Sequence, residues 1–126
     1  MDMGVAHSVA LIAAGQGDLR EALSAMLHSM PGVYVMEVDN TDSAIAALRR
    51  ERPNIVVMDS ALPGNHSMEL IRAIQAERPR IRCAILVDSF GQQAAAMRAG
   101  ADHAPLKGEP VQRLFSQVEQ LLAAVS

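Results

Sequence analysis

The chain has no tryptophan and carries only one tyrosine and two phenylalanines in 126 residues. Its core therefore cannot rest on aromatic rings and must be aliphatic, rich in alanine and in the eight methionines. The single cysteine, Cys83, sits inside an apolar run. That excludes a disulfide framework and a cysteine metal site, and it fits a reducing, cytoplasmic setting. No apolar stretch approaches the roughly 20 residues of a membrane span. The opening MDMGVAHS lacks the basic and apolar regions of a secretory signal. Basic residues are outnumbered, 11 Lys and Arg against 14 Asp and Glu, so the net charge of -3 argues against a nucleic-acid or anionic-membrane surface. Linkers and low-complexity segments are also missing. Residues 1–126 read as one domain, long enough to bury a good core.

What is present is a regular alternation. Apolar runs recur at VALIAA (9–14), VYVMEV (33–38), NIVVMD (54–59) and CAILVD (83–88), with a shorter HAPL at 103–106. Helical periods lie between them. Leu19, Leu23, Met26, Leu27 and Met30 share one face, and Val111, Leu114, Phe115, Val118, Leu121, Leu122 and Val125 share another. Capping-box spacings, Asp18 with Glu21 and Ser89 with Gln92, predict helix starts; NHS at 65–67 predicts the cap of the third helix. Pro110 suits the first turn of the last helix, and Gly100 supplies a helix stop. RERPNIVVMD and AERPRIRCAILVD both run helix, Arg-Pro, strand, because proline drives the residue before it out of helical geometry. Strict strand–helix alternation predicts parallel strands with right-handed crossovers, and continuous apolar strands predict that both sheet faces are covered. The expected fold is α/β: a five-stranded, doubly wound (βα)5 flavodoxin-like sheet in the order 2-1-3-4-5.

The functional edge of such a sheet is the carboxyl ends of its strands. The spacing places Ala14, Gly15 and Gln16, then Asp39, then Asp59, then Val87 and Asp88, then Lys107 along that edge. Asp59 ends a run of four apolar residues, Ile55 to Met58, and a charge there is unfavourable unless it is solvated, paired or used. With Lys107 it forms either an ion pair that closes the core or a nucleophile with a cation ready for a transferred phosphoryl group.

On these residues the chain resembles the receiver domain of bacterial two-component response regulators over nearly its whole length. IVVMDSALPGNHSMEL is similar to the phosphoacceptor strand and the turn after it. MRAGADHAPLKG is similar to the Ala-Gly-Ala-Asp element and the lysine strand end. VALIAAGQGDLREALSAML is similar to the first strand and helix, including an arginine at Arg20. The resemblance implies the receiver fold, Asp59 at the phosphoacceptor position and Lys107 as the phosphate-contacting lysine. It also implies departures. Ala14 and Gly15 stand where the family has an acidic pair that helps bind magnesium, a hard cation that wants several oxygen ligands. No metal site, or only a weak one through Asp59, is expected, and no other cofactor. Val87 stands at the switch hydroxyl, Asp88 follows where a small residue is usual, and Ala104, followed by Pro105, stands at the switch aromatic. Val87 cannot hydrogen-bond a phosphoryl oxygen, and Asp88 would repel one.

The reading is a degenerate, pseudo-receiver-like signalling module without enzymatic turnover, acting by protein contact. Its expected partners are a sensor histidine kinase or an output domain. A homodimer through helix 4, strand 5 and helix 5 is also expected, favoured by small residues and Met97 in QQAAAMRAG and by Arg113 and Glu119 on helix 5. Direct contact with nucleic acid or membrane is not expected. Two alternatives stand beside it: a phosphorylatable receiver controlling an output domain such as a DNA-binding transcription regulator, and a small dinucleotide-binding domain. The second rests on GQGDLR, which begins like G-x-G-x-x-G, and on Asp39 as a ribose-binding acid; Arg20 occupies the third glycine position. Cys83 reads as core, Asp39 and Asp88 as solvated strand ends, and His7, His28, His66 and His103 as surface or boundary residues. Arg49, Arg50, Arg52, Arg78, Arg80 and Arg82, at the amino ends of strands 3 and 4, read first as a solvated rim and second as a partner patch.

Overall fold

Four of the apolar runs become parallel strands in the computed structural model, which describes residues 8–64 and 66–123. The elements alternate as β1 (Ser8–Ala13), α1 (Asp18–His28), β2 (Val33–Val38), α2 (Thr41–Glu51), β3 (Ile55–Asp59), α3 (Ser67–Glu77), β4 (Arg82–Leu86), α4 (Phe90–Ala99) and α5 (Val111–Ala123). The sheet order is β2-β1-β3-β4. Register is set in parallel from Ala10 beside Ile55 and from Ile55 beside Arg82, so β3 is flanked on both sides.

The period of two along each strand divides the core into two layers. Leu11, Val56, Met58, Cys83, Ile85 and Val87 meet Ala44, Leu48, Leu70, Ile74, Ala96 and Ala99 from α2, α3 and α4. Ala10, Ile12, Ile55, Val57, Ala84 and Leu86 meet Leu23, Leu27, Leu114, Val118 and Leu121 from α1 and α5. This is the doubly wound architecture expected. Alanines at the helix contacts let the helices lie close to a sheet without aromatic filler.

One element differs. The expected fifth strand, 103–106, forms only two isolated parallel bridges, Ala84 with His103 and Val87 with Leu106. It still runs alongside β4: Ile85 N–H donates to His103 O (3.0 Å), Val87 N–H to Pro105 O (3.0 Å), and Lys107 N–H to Val87 O (2.8 Å). Pro105 has no N–H, so the rung that would return to Ile85 is missing and the ladder breaks in the middle.

The helix ends correct two expectations and meet others. Gly17, not Asp18, is the N-cap of α1; Asp18 lies in the first turn, where its charge complements the helix dipole, and no side chain caps the helix. His66, the middle residue of NHS, is the N-cap of α3, though no side chain bonds the helix end; Ser67 begins the helix and its hydroxyl donates to Ser60 O; Asn65 of the same motif lies outside the described residues. Arg52, before Pro53, is left-handed (φ 49°) rather than extended, which ends α2 with a helix-terminating bend. Ser89 does cap α4 by accepting from Gln92 N–H (3.1 Å), and Gly100 (φ 116°) stops it. His7 and Val125 lie outside the described residues.

Candidate functional site

β3 delivers Asp59 to the carboxyl edge, where the chain turns out of the sheet. The turn binds the side chain itself, because Ala61 N–H donates to Asp59 Oδ1 (2.9 Å). Lys107 arrives from the segment beside β4, its backbone fixed by the bond to Val87 O. Its ammonium lies 2.6 Å from Asp59 Oδ1 and 3.3 Å from Asp88 Oδ1. The Asp59 and Lys107 side chains are 16% and 25% exposed, while Asp88 is 56% exposed, so one half of this bridge is sheltered and the other wet. Burial by itself disfavours the Lys107 ammonium. The hydrogen bonds and charges of Asp59 and then Asp88 outweigh it, and the lysine pKa is raised above its ordinary value.

Asp88 is thus a correction to the sequence reading. It is a solvated strand end, but it also pairs with Lys107. Asp59 ends β3 and Asp88 lies two residues beyond the neighbouring β4, so a lysine stem can reach both, and the backbone N–H of Asp88 is fixed by Gln92 Oε1 (2.7 Å).

Positions 14 and 15 do more than lack carboxylates. Ala14 is fully buried and packs in the apolar layer with Ile12, Ala84 and Leu86. Gly15 lies against the loop after β3: a Cβ there would stand 3.3 Å from Pro63 Cδ. Among the described residues no group of three or more His, Cys, Asp or Glu is placed to hold a metal. The donor set does not fit the magnesium ion that the resemblance implies. Asp59 and Asp88 already share an ammonium, and the ion needs several more oxygens in near-octahedral array.

Two of the positions where the resemblance implies a switch, 87 and 104, are equally closed. Val87 has no exposed surface, and Ala104 is 6% exposed in the same apolar layer. Gln93 of α4 donates to Ala104 O (2.7 Å), which ties the helix to the broken edge ladder. Outward from there, Phe90 (76% exposed) and Met97 (48% exposed) stand on α4 at i and i+7, with Ala94 exposed between them. Together with His103, Pro105 and Arg113 they border a cavity of about 410 Å³ between α4 and α5. Phe90 escaped the sequence reading, although its spacing to Ala94 and Met97 was visible. Arg113 is partly satisfied within the chain by Glu109 (3.8 Å).

The remaining candidates lie apart. Arg20 pairs with Glu37 on β2 (2.9 Å) and does not join Asp59. The Arg20 hydrogen bond holds the Glu37 carboxyl below its ordinary pKa, against partial burial. Asp39 accepts from Asn40 Nδ2. Cys83 is wholly buried, and desolvation pushes its thiol well above the ordinary range, so it is an inert core group. His28 and His66 are exposed and His103 half-buried. No helix among the described residues is long and apolar enough to cross a membrane.

Comparison with known proteins agrees with this fold. Residues 10–119 match the family model of the response regulator receiver domain. The chain is 28% identical over 93 residues to the probable transcriptional regulatory protein TcrX of Mycobacterium tuberculosis, covering 72% of this chain but 40% of that protein. It is 28% identical over 98 residues to the uncharacterized transcriptional regulatory protein YesN of Bacillus subtilis, covering 75% of this chain and 26% of that one. Among solved structures, a LuxR-family two-component response regulator from Aurantimonas sp. SI85-9A1 superposes with a TM-score of 0.84 at 25% identity, covering 94% of this chain and 87% of that one.

Proposed function

The chain belongs to the response-regulator receiver family, and from that membership we propose a degenerate receiver, one that signals by protein contact while Asp59 is phosphorylated slowly or not at all. The observation that carries the reading is the Lys107 ammonium shared between Asp59 and Asp88, beside two positions that offer no carboxylate. Phosphoryl transfer to Asp59 brings negative charge that must be neutralised where it develops. Here the cation beside Asp59 is already bound twice, and Asp88 adds repulsion. The fully buried Val87 supplies no hydroxyl to hold a phosphoryl oxygen.

The proposed contact surface is the α4–α5 face. Phe90, Ala94 and Met97 form an exposed apolar stripe there, and the bond from Gln93 to Ala104 O, which ties α4 to the sheet edge, supports a face with a single arrangement. A homodimer fits this stripe, as does a sensor histidine kinase or an output domain. The second reading, a phosphorylatable receiver that controls a DNA-binding output domain, draws on one observation: the curated relatives are transcriptional regulators, and this chain spans less than half of each. In that case any contact with DNA belongs to the other domain.

Intact-mass measurement after incubation with a small phosphodonor and magnesium separates the two. The degenerate receiver gains little or no phosphoryl mass over hours. A fast, stoichiometric gain that disappears in Asp59→Asn overturns it in favour of the second reading.

A further inference from the structure

The opposite end of the sheet carries a different constellation. The sequence repeats Glu-Arg-Pro at Glu51-Arg52-Pro53 and Glu77-Arg78-Pro79, each time where a helix turns into a strand. Because β3 and β4 are neighbours, the two turns lie side by side and border an open cleft of about 690 Å³. Every lining residue comes from these turns and the strand starts after them, residues 52–54 and 77–82.

Four arginines line this cavity, Arg52, Arg78, Arg80 and Arg82, against one carboxylate, Glu77. That carboxylate is already taken: Arg49 Nε and Nη2 each donate to it at 2.9 Å. Arg82 has only a loose ion contact to Asp102, at 3.6 Å, and the other Asp102 oxygen accepts from Cys83 N–H (2.8 Å). Arg78 donates to a backbone carbonyl, that of Glu77. Arg52 and Arg80 have no side-chain partner among the described residues. The Nε atoms of Arg78 and Arg82 are shut off from solvent and also lack a hydrogen-bond acceptor. Buried donors are normally matched, so these two groups stand out, and the guanidinium capacity open to the cleft is that of the exposed Arg52 and Arg80.

The helix ends explain part of the charge. Arg49 and Arg50 lie in the last turn of α2, where they complement the negative end of the dipole. Arg52 and Arg80 lie beyond the helices and do not need that explanation. A chain with net charge -3 has thus concentrated unpaired positive charge in one pocket.

We infer that this pocket binds a small molecule carrying clustered phosphates, of the pyrophosphate or nucleoside polyphosphate class. A guanidinium presents paired donors that match the oxygens of a phosphate, and several arginines match adjacent phosphates. The volume lies in the range of small-molecule sites, about 300–1,000 Å³. Pro53, Pro79 and Ile81 supply an apolar surface for the body of a ligand. The site is independent of Asp59, which lies at the other end of β3, on the order of 15 Å away at about 3.3 Å per strand residue.

The test is an NMR titration that follows the Nε–H signals of Arg78 and Arg82, with inorganic pyrophosphate, a nucleoside triphosphate and a polyglutamate peptide as separate probes. Pyrophosphate is expected to give saturable shifts at both groups. Arg80→Ala and Arg52→Gly should weaken binding at least tenfold while the core amide signals keep their positions; glycine suits the left-handed backbone at 52. Asp59→Asn should bind as the wild type does, so the result does not depend on how the phosphorylation experiment turns out. A nucleoside triphosphate tenfold tighter than pyrophosphate assigns a nucleotide, and equal affinities assign the phosphates alone. Shifts that do not saturate, that persist unchanged in both variants, or that are centred on Lys107 overturn the inference. Tighter binding of the peptide than of pyrophosphate also overturns it.

Discussion

Replacing Lys107 with methionine tests whether this lysine now serves as the permanent counter-ion of Asp59. Methionine preserves much of the stem of Lys107, which lines a small cavity together with Leu86 and Leu114, and removes the charge. Asp59 would keep the hydrogen bond from Ala61 but would face Asp88 without an intervening cation. Exposed ion pairs contribute about 0–1 kcal/mol, whereas breaking a fully buried pair costs about 3–5 kcal/mol. With Asp59 at 16% exposure and Lys107 at 25%, the loss should fall between, at about 2 kcal/mol. For a urea slope of about 1.5 kcal/mol per molar, the unfolding midpoint drops by about 1.3 M. Asp59→Asn alone should cost about 1 kcal/mol, because Lys107 still has Asp88. The double variant should cost about 1.5 kcal/mol, which leaves a coupling of about 1.5 kcal/mol. The pH dependence has a definite sign. The Lys107 pKa is raised in the fold, so its contribution is fully present below the ordinary lysine value of 10.5 and fades as pH rises through the higher folded value. The cycle therefore belongs at neutral pH. Additive costs, or a Lys107→Met variant as stable as the wild type, would refute the counter-ion role.

Magnesium titration followed at the amides of Asp59, Asp88 and Lys107 should show weak binding that does not saturate at millimolar concentration; a tight site there would show that other oxygens replace the acidic pair. Met97→Glu and Phe90→Glu should abolish self-association or partner capture in sedimentation experiments without loss of fold. A wild type that is monomeric at every concentration, with no partner lost on substitution, sinks the contact-face proposal. The Glu37 pKa is lowered by Arg20, so its contribution is present above the ordinary value of 4.5 and is lost as pH falls through the folded one. Glu37→Gln should therefore flatten the acid limb of a stability–pH curve, and an unchanged limb would show that the Arg20 pair contributes nothing. Ala14→Asp should destabilise by about 3 kcal/mol or more, because it places an unpaired carboxylate in an apolar layer; a variant as stable as the wild type would show that the strand end has room for the family's acid.

The sequence alone determined most of the fold, because apolar runs alternating with helical periods leave a parallel, doubly wound sheet as the way to bury both. Asp59 and Lys107 were legible for the same reason: once strands and helices are ordered, their last residues must share one edge. The break in the fifth strand was legible only in part. Pro105 was visible, but the surviving bonds on either side of it depend on how closely the chain lies beside β4. The cap of the first helix was misread at Asp18, since several residue types satisfy the same spacing and the loop decides which one turns first. Only the tertiary structure showed that Asp88 joins Lys107, that Ala14 is sealed in the core and Gly15 pressed on Pro63, and that two Arg-Pro turns share one cavity. Each of these is a contact between segments distant in the chain. Local pattern specifies which elements form, but the packing of those elements decides which side chains meet.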